Sequence, residues 1–196
     1  MNGESVRVQI GMFYLRDGLW TFPEPTVPRR ALELASTIKS TFESVIQTNL
    51  YPRSHIDIVV LVLQQDGALL QACINATALA IASAGIPMLD LLCAVTIGIH
   101  ATSPILDLTL VEENDTPNLT VGIMPRTDKV SLLTMDTRLH ADHFKDTVAL
   151  ASTACKVIHT EMKAALHVSG STLVNVNEAG IEGNNAHEHD ITHGHN

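Results

Sequence analysis

The chain has 196 residues, 45% hydrophobic but only 4% aromatic, and a formal net charge of −9. That length suits one domain, or one domain with an appendage, around a core of Ala, Val, Ile and Leu, and the scarcity of rings excludes a base-stacking platform for nucleic acid. Beyond Lys163 four acids and no lysine or arginine carry four of the nine net charges, so the body is also acidic and a poor footprint for an independent nucleic-acid binder.

No apolar run is long and charge-free enough to span a membrane, and no signal-peptide pattern opens the chain. Cys73, Cys93 and Cys155 are odd in number, widely spaced and set among apolar residues. They predict reduced thiols in a nuclear or cytosolic core.

Residues 1–28 read as a divergent N-terminal segment. "RVQIGMFYLRDGLW" suggests a short hairpin turning at Asp17-Gly18, and "TFPEPTVP" is extended or loop-like because of its prolines. From Arg29 the pattern becomes helical: Ala31, Leu34, Ile38, Phe42, Val45 and Ile46 share a face, with Glu33, Lys39 and Glu43 off it. Pro52 closes that region. Ile56 to Leu63 is a strand, apolar at nearly every position, which predicts cover on both faces. Asp57 interrupts it and needs a partner if buried, with Arg53 at hand.

Asp66-Gly67 is a turn signal, and an alanine-rich helix is expected over 71–84. A turn that feeds a helix N-terminus is a natural anion site, because free N–H groups and the helix dipole both face it. The residues placed to hold an anion are nevertheless Leu69 and Leu70. Gly85-Ile86-Pro87 ends the helix. "LLCAVTIGIHAT" is a strand, "ILDLTLVEE" a short one, and "LTVGIMP" with "KVSLLTMD" an antiparallel pair. Phe144, Val148, Ala151, Cys155, Ile158, Met162 and Ala165 then draw one apolar stripe on a long helix laid on the sheet. After Ser169 the periodicity stops, which predicts a disordered acidic, His-rich tail over 170–196. The body, 29–169, is therefore an α/β (α+β) domain with a mixed sheet and packed helices.

"YPRSHIDIVVLVLQQDG", "ACINATALAIASAGIPMLDL", "LDLTLVEE" and "KVSLLTMDTRLHADHF" closely resemble the RNase PH-like subunits of the RNA exosome, from about Arg29 to about Leu166. The resemblance implies two βαβ-type halves and, in the family's enzymes, shortening of RNA from its 3′ end by attack of inorganic phosphate. Catalytic members resemble "ADGGTR" at the turn, where threonine and arginine help hold phosphate. This chain reads "QDGALL", with Leu69 at the threonine position and Leu70 at the arginine position. Leucine offers no donor, whereas an arginine fork binds phosphate through two. The family's acidic pair is matched by "VEENDTPNLTVGI", with Glu113 at the first position and Asn118 at the second. Asn118 cannot ionise, so it is neither a general acid/base nor a strong Mg²⁺ ligand. Asp115 falls in the loop between them.

The resemblance therefore implies a non-catalytic ring subunit that uses no cofactor or metal. Its partners would be other RNase PH-like ring subunits, cap subunits and RNA passing through the assembled channel, with no membrane. The expected location is the nucleus, nucleolus and cytoplasm. The competing readings are an active phosphorolytic exoribonuclease and a truncated, non-assembling product. Family members carry further N-terminal strands and a basic loop, replaced here by "LWTFPEPTVP". Their loss would leave the strands beginning at Ile56 and near Leu119 with open edges.

Arg29, Arg30 and Arg53 are the candidate RNA contacts. Arg29-Arg30 reads equally as an exposed basic pair at a helix start, and Arg53 reads first as a loop-anchoring ion pair. His140-x-x-His143 lacks a third ligand type, and His187, His189, His193 and His195 lie in the tail without a designed site. Ser54, Ser103 and Ser131 have no nucleophile context.

Overall fold

In the computed structural model the described residues are 6–12, 14–16, 19–21, 29–52, 54–100, 103–135 and 141–191, with side chains for 29–52, 54–100, 103–135 and 144–170. The chain divides into two units, Met1–His159 and Thr160–Asn196.

Strand β1 (Val6–Met12) runs parallel to β4 (Ile56–Val62), with Val6 opposite Ile56 and Met12 opposite Val62. Strands β2 (Tyr14–Arg16) and β3 (Leu19–Thr21) form an antiparallel hairpin shorter than the expected one, because residues 7–12 of its first arm belong to β1; the turn pair Asp17-Gly18 lies outside the described residues. Val6, Val8, Ile10 and Met12 lie opposite Ile56, Ile58, Val60 and Val62 in the register, and Arg7, Gln9 and Gly11 opposite Asp57, Val59 and Leu61.

Two expectations about β4 are corrected here. One of its edges is taken by β1, so it is not left open on that side. Its outer face, in contrast, is uncovered: Val59, Leu61 and Leu63 are 58%, 49% and 74% exposed, while Ile58 and Val62 are buried. A neighbouring strand satisfies backbone groups but does not add a layer over the sheet. Asp57 lies on the exposed face, so water solvates it and no buried partner is required. Arg53 lies outside the described residues.

Helix α1 (Arg29–Val45) packs on β1 and buries Ile38, Thr41, Phe42 and Val45 along the predicted face. Helix α2 (Leu69–Ser83) buries Cys73, Ile74, Thr77, Ala78 and Ile81 and packs on strand β5 (Cys93–His100). It ends as its glycine predicts. Gly85 adopts φ +71°, its N–H donates to Ala82 O at 3.1 Å, and Ile86 N–H donates to Ile81 O at 3.2 Å. These two bonds satisfy carbonyls that the last turn would otherwise leave unpaired.

The four-stranded sheet is antiparallel throughout, in the order β6 (Ser103–Leu106), β5, β7 (Asn118–Met124), β8 (Lys129–Met135). Strand β7 is flanked on both sides and buried along its whole length, so the open edge expected near Leu119 does not exist. "ILDLTLVEE" is also corrected. The strand stops at Leu106, and Leu110–Asp115 is helix α3. Thr109-x-x-Glu112 is the cause, because it closes a capping box. Glu112 N–H donates to Thr109 Oγ1 at 3.5 Å, and Thr109 N–H donates to Glu112 Oε2 at 2.9 Å. The same Thr109 donors hold the Glu112 carboxyl below the usual carboxylate range.

Helix α4 (Ala141–Ile191) lays Thr147, Ala151 and Cys155 in the interior, and Cys155 Sγ–H donates to Cys93 O at 3.4 Å. All three cysteines are buried thiols outside any disulfide. Burial pushes Cys93 up to about 12 and Cys155 to about 11, and raises Cys73, so these thiols stay protonated at neutral pH and act as packing. No described helix is long and apolar enough to cross a membrane.

The helix runs on to Ile191, past Ser169, where disorder was expected to begin. Apolar periodicity reports a buried face rather than helicity, so a helix without such a face leaves no trace in the pattern. The side chains of His143, His187 and His189, and the whole of His140, His193 and His195, lie outside the described residues. Deleting residues 175–196 is expected to move the melting temperature by less than about 2 °C, since a polar segment without periodicity buries little. A drop beyond about 5 °C in a thermal melt would show that the segment packs.

Candidate functional site

The site is built where β4 hands the chain to α2. Gly67 adopts φ +91°, and a Cβ there would lie 2.6 Å from Thr109 C and 2.7 Å from Leu110 N. Both the backbone angle and the close approach demand glycine. Ala68, the N-cap of α2, is left-handed at φ 46° and makes no side-chain cap. Alanine in this conformation costs about 1 kcal/mol.

Ala68 N–H does not face an empty cradle. It donates to Glu113 Oε2 at 3.0 Å, across 45 residues of chain. The start of α2 thus already has an anion, supplied by α3 of the same protein. Leu69 and Leu70 follow, half-buried, adding carbon where donors would be needed.

Asn118, at the head of β7, is 7% exposed. Its Nδ2 donates to Glu113 O at 3.0 Å and to Thr116 O at 3.4 Å, which holds α3 against β7. The structure therefore brings Glu113 to Ala68 and Asn118 to Glu113. Asp115 is exposed as the last residue of α3, not in a loop. Among the described residues, no group of three His, Cys, Asp or Glu side chains is placed to hold a metal ion.

The basic candidates lie elsewhere. Arg29 and Arg30 open α1 exposed, with Arg29 Nε 3.0 Å from Glu33 Oε1. A solvated i, i+4 pair of this kind contributes little to stability.

Two residues missed by the sequence reading complete the arrangement. Strand β6 covers β5 only from Ile97 onward, and among the described residues no strand lies along the edge at Ala94 and Thr96. Side-chain amides on α2 take its place. Asn75 Oδ1 accepts Ala94 N–H at 2.8 Å and Asn75 Nδ2 donates to Ala94 O at 3.0 Å. Gln71 Oε1 accepts Thr96 N–H, and Gln71 Nε2 donates to Asp107 Oδ1 at 3.4 Å. The available signal was a pair of amides four residues apart on a largely apolar, alanine-rich helix.

Comparison with known proteins now decides the family. Residues 21–87 match the first domain of the 3′ exoribonuclease family (RNase PH), and residues 90–154 match its second domain. The chain belongs to the 3′ exoribonuclease family. It is 47% identical over 139 residues to the exosome complex component RRP41 homolog of Arabidopsis thaliana, covering 70% of this chain and 58% of that protein. It is 42% identical over 137 residues to exosome complex component RRP41 of Mus musculus, covering 69% and 56%. The chain thus spans little more than half the length of these relatives. The crystal structure of rice (Oryza sativa) Rrp46 superposes with a TM-score of 0.73 at 19% identity, covering 83% of this chain and 73% of that one, a likeness of fold. The join between the two exoribonuclease-family domains falls between α2 and β5, so the Ala68, Gln71 and Asn75 contacts all cross it.

Proposed function

We propose that this chain is a non-catalytic ring subunit of the RNA exosome, found in nucleus, nucleolus and cytoplasm. It would pair with other RNase PH-like subunits, lie beneath cap subunits and help shape the channel that carries RNA to processing and decay. The names of the relatives support the assembly, and the site supports the loss of chemistry.

One observation carries the second part: the Glu113 carboxylate sits on the Ala68 N–H. Phosphate entering there would meet a like charge at hydrogen-bonding distance instead of a donor. Leu70 supplies no fork to outweigh that repulsion, and Asn118 supplies no base. Catalysis of phosphorolysis needs donors aimed at developing charge, and this arrangement presents the opposite sign.

The acidic body and the uncovered Val59, Leu61 and Leu63 both favour an assembled state, in which neighbours supply positive surface and apolar cover. Co-expression with a tagged RNase PH-like ring subunit, followed by size-exclusion chromatography, tests this. Stoichiometric co-elution, with more soluble protein than the chain gives alone, is the expected result. A sharp monomeric peak that ignores the tagged subunit would contradict it, and aggregation in both preparations would favour a truncated, non-assembling product.

A further inference from the structure

The contacts around the N-terminal half of α2 form a pattern that the loss of catalysis does not require. Ala68, Gln71 and Asn75 are spaced three and four apart, so they lie along one stripe of the helix. Every one of them bonds across the join between the two family domains. Ala68 N–H reaches Glu113, Gln71 reaches Thr96 and Asp107, and Asn75 holds both backbone groups of Ala94. Behind this row Asn118 fixes the backbone of Glu113, and Asp107 N–H donates to Thr96 O at 3.2 Å.

We propose that this row is an interdomain clasp, in which Glu113 and Asn118, at the positions of the family's acidic pair, work with Gln71 and Asn75 to lock the two halves into one cooperative unit. The clasp stands on this geometry alone and holds whether or not the chain shortens RNA.

Three physical points carry it. The β5 edge at Ala94 and Thr96 would otherwise present backbone donors and an acceptor with no strand among the described residues to meet them, which costs stability and invites a foreign strand. Asn75 satisfies an N–H and a C=O on one residue, as a neighbouring strand does, so α2 acts as a short fifth strand of side-chain amides. Glu113 supplies the cap that Ala68 cannot supply itself, so the start of α2 depends on α3 in the other half.

Native-state hydrogen exchange on the full chain tests the clasp. In the unmodified protein the amides of Ala68, Ala94 and Thr96 should be protected, although no strand among the described residues pairs with them on that side. Asn75→Leu should speed exchange at Ala94 by about tenfold or more, and Gln71→Leu should do the same at Thr96. Glu113→Ala should speed Ala68 and the first turn of α2. Glu113→Gln keeps an acceptor and should remain close to the parent. Combining Glu113→Ala with Asn75→Leu should separate the protection of residues 29–87 from that of 93–135. Fast exchange at Ala94 and Thr96 in the unmodified protein would overturn the proposal. So would unchanged exchange in the single variants, or one common protection level in the combined variant. The unmodified protein and Glu113→Gln provide the test even if a leucine variant does not fold.

Discussion

Asn118→Asp, the change that restores a family carboxylate, is expected to lower the melting temperature by about 5 °C or more and to add no activity. Asn118 is almost fully buried, and its Nδ2 is the donor to two carbonyl oxygens, Glu113 O and Thr116 O. Aspartate would bring an oxygen against both, removing two donations and adding charge in a place with little water. Loss of satisfied partners in the interior costs about 1–3 kcal/mol, and more when the group is charged. Adding Leu69→Thr, Leu70→Arg and Glu113→Asp should not rescue it. Shortening Glu113 withdraws its carboxylate from Ala68 N–H, and an arginine replacing half-buried Leu70 must find its own partner. Thermal melts of the single variant measure the effect, and an unchanged transition would show that Asn118 Nδ2 does not hold α3 to β7.

Gly67→Ala should be more damaging still. Alanine at φ +91° is strained, and its Cβ would enter the backbone of Thr109 and Leu110, which cannot turn aside as a flexible side chain can. The expected cost is above about 4 kcal/mol, enough to prevent accumulation of soluble protein. Gly85→Ala provides the control. Gly85 also has positive φ, +71°, but nothing lies within 4 Å of a Cβ there, so only the backbone strain of about 1 kcal/mol applies. Soluble yield and melting temperature of the pair separate the two causes. Equal, mild effects at both positions would show that the 64–68 turn is not packed against the 107–110 segment.

The sequence exposes these elements unevenly, and the reasons are physical. Ile38, Phe42 and Val45 mark α1 because a helix buried on one side repeats its apolar residues at helical spacing. Gly85 and Pro87 mark the end of α2 because only special backbones stop a helix there. Strand β7 with β8 is readable because antiparallel neighbours in sequence pair locally. By contrast, Val6, Val8, Ile10 and Met12 alternate plainly enough for a strand, but their parallel partner lies some fifty residues on, and no local signal names it. Helix α3 was hidden by a Leu/Thr/Val run that resembles a strand, although Thr109 and Glu112 announce the capping box. The positions Leu69, Leu70, Glu113 and Asn118 could be aligned with a family pattern residue by residue. That alignment could not show that Glu113 turns its carboxylate onto Ala68, because such a bond depends on how α3 lies across the turn. Gln71 and Asn75 escaped for the same reason: amides on a helix are ordinary until a bare strand edge faces them.

We propose that the cradle at the start of α2 no longer serves phosphate chemistry. This is tested most directly by incubating the purified chain, alone and in its co-expressed complex, with end-labelled single-stranded RNA over a range of inorganic phosphate and Mg²⁺. Released nucleoside diphosphates are then separated and counted. The expected result is no phosphate-dependent release above a no-protein control in either preparation. Phosphate-dependent shortening from the 3′ end that disappears when the Ala68–Glu113 turn is mutated in a folded variant would contradict the account.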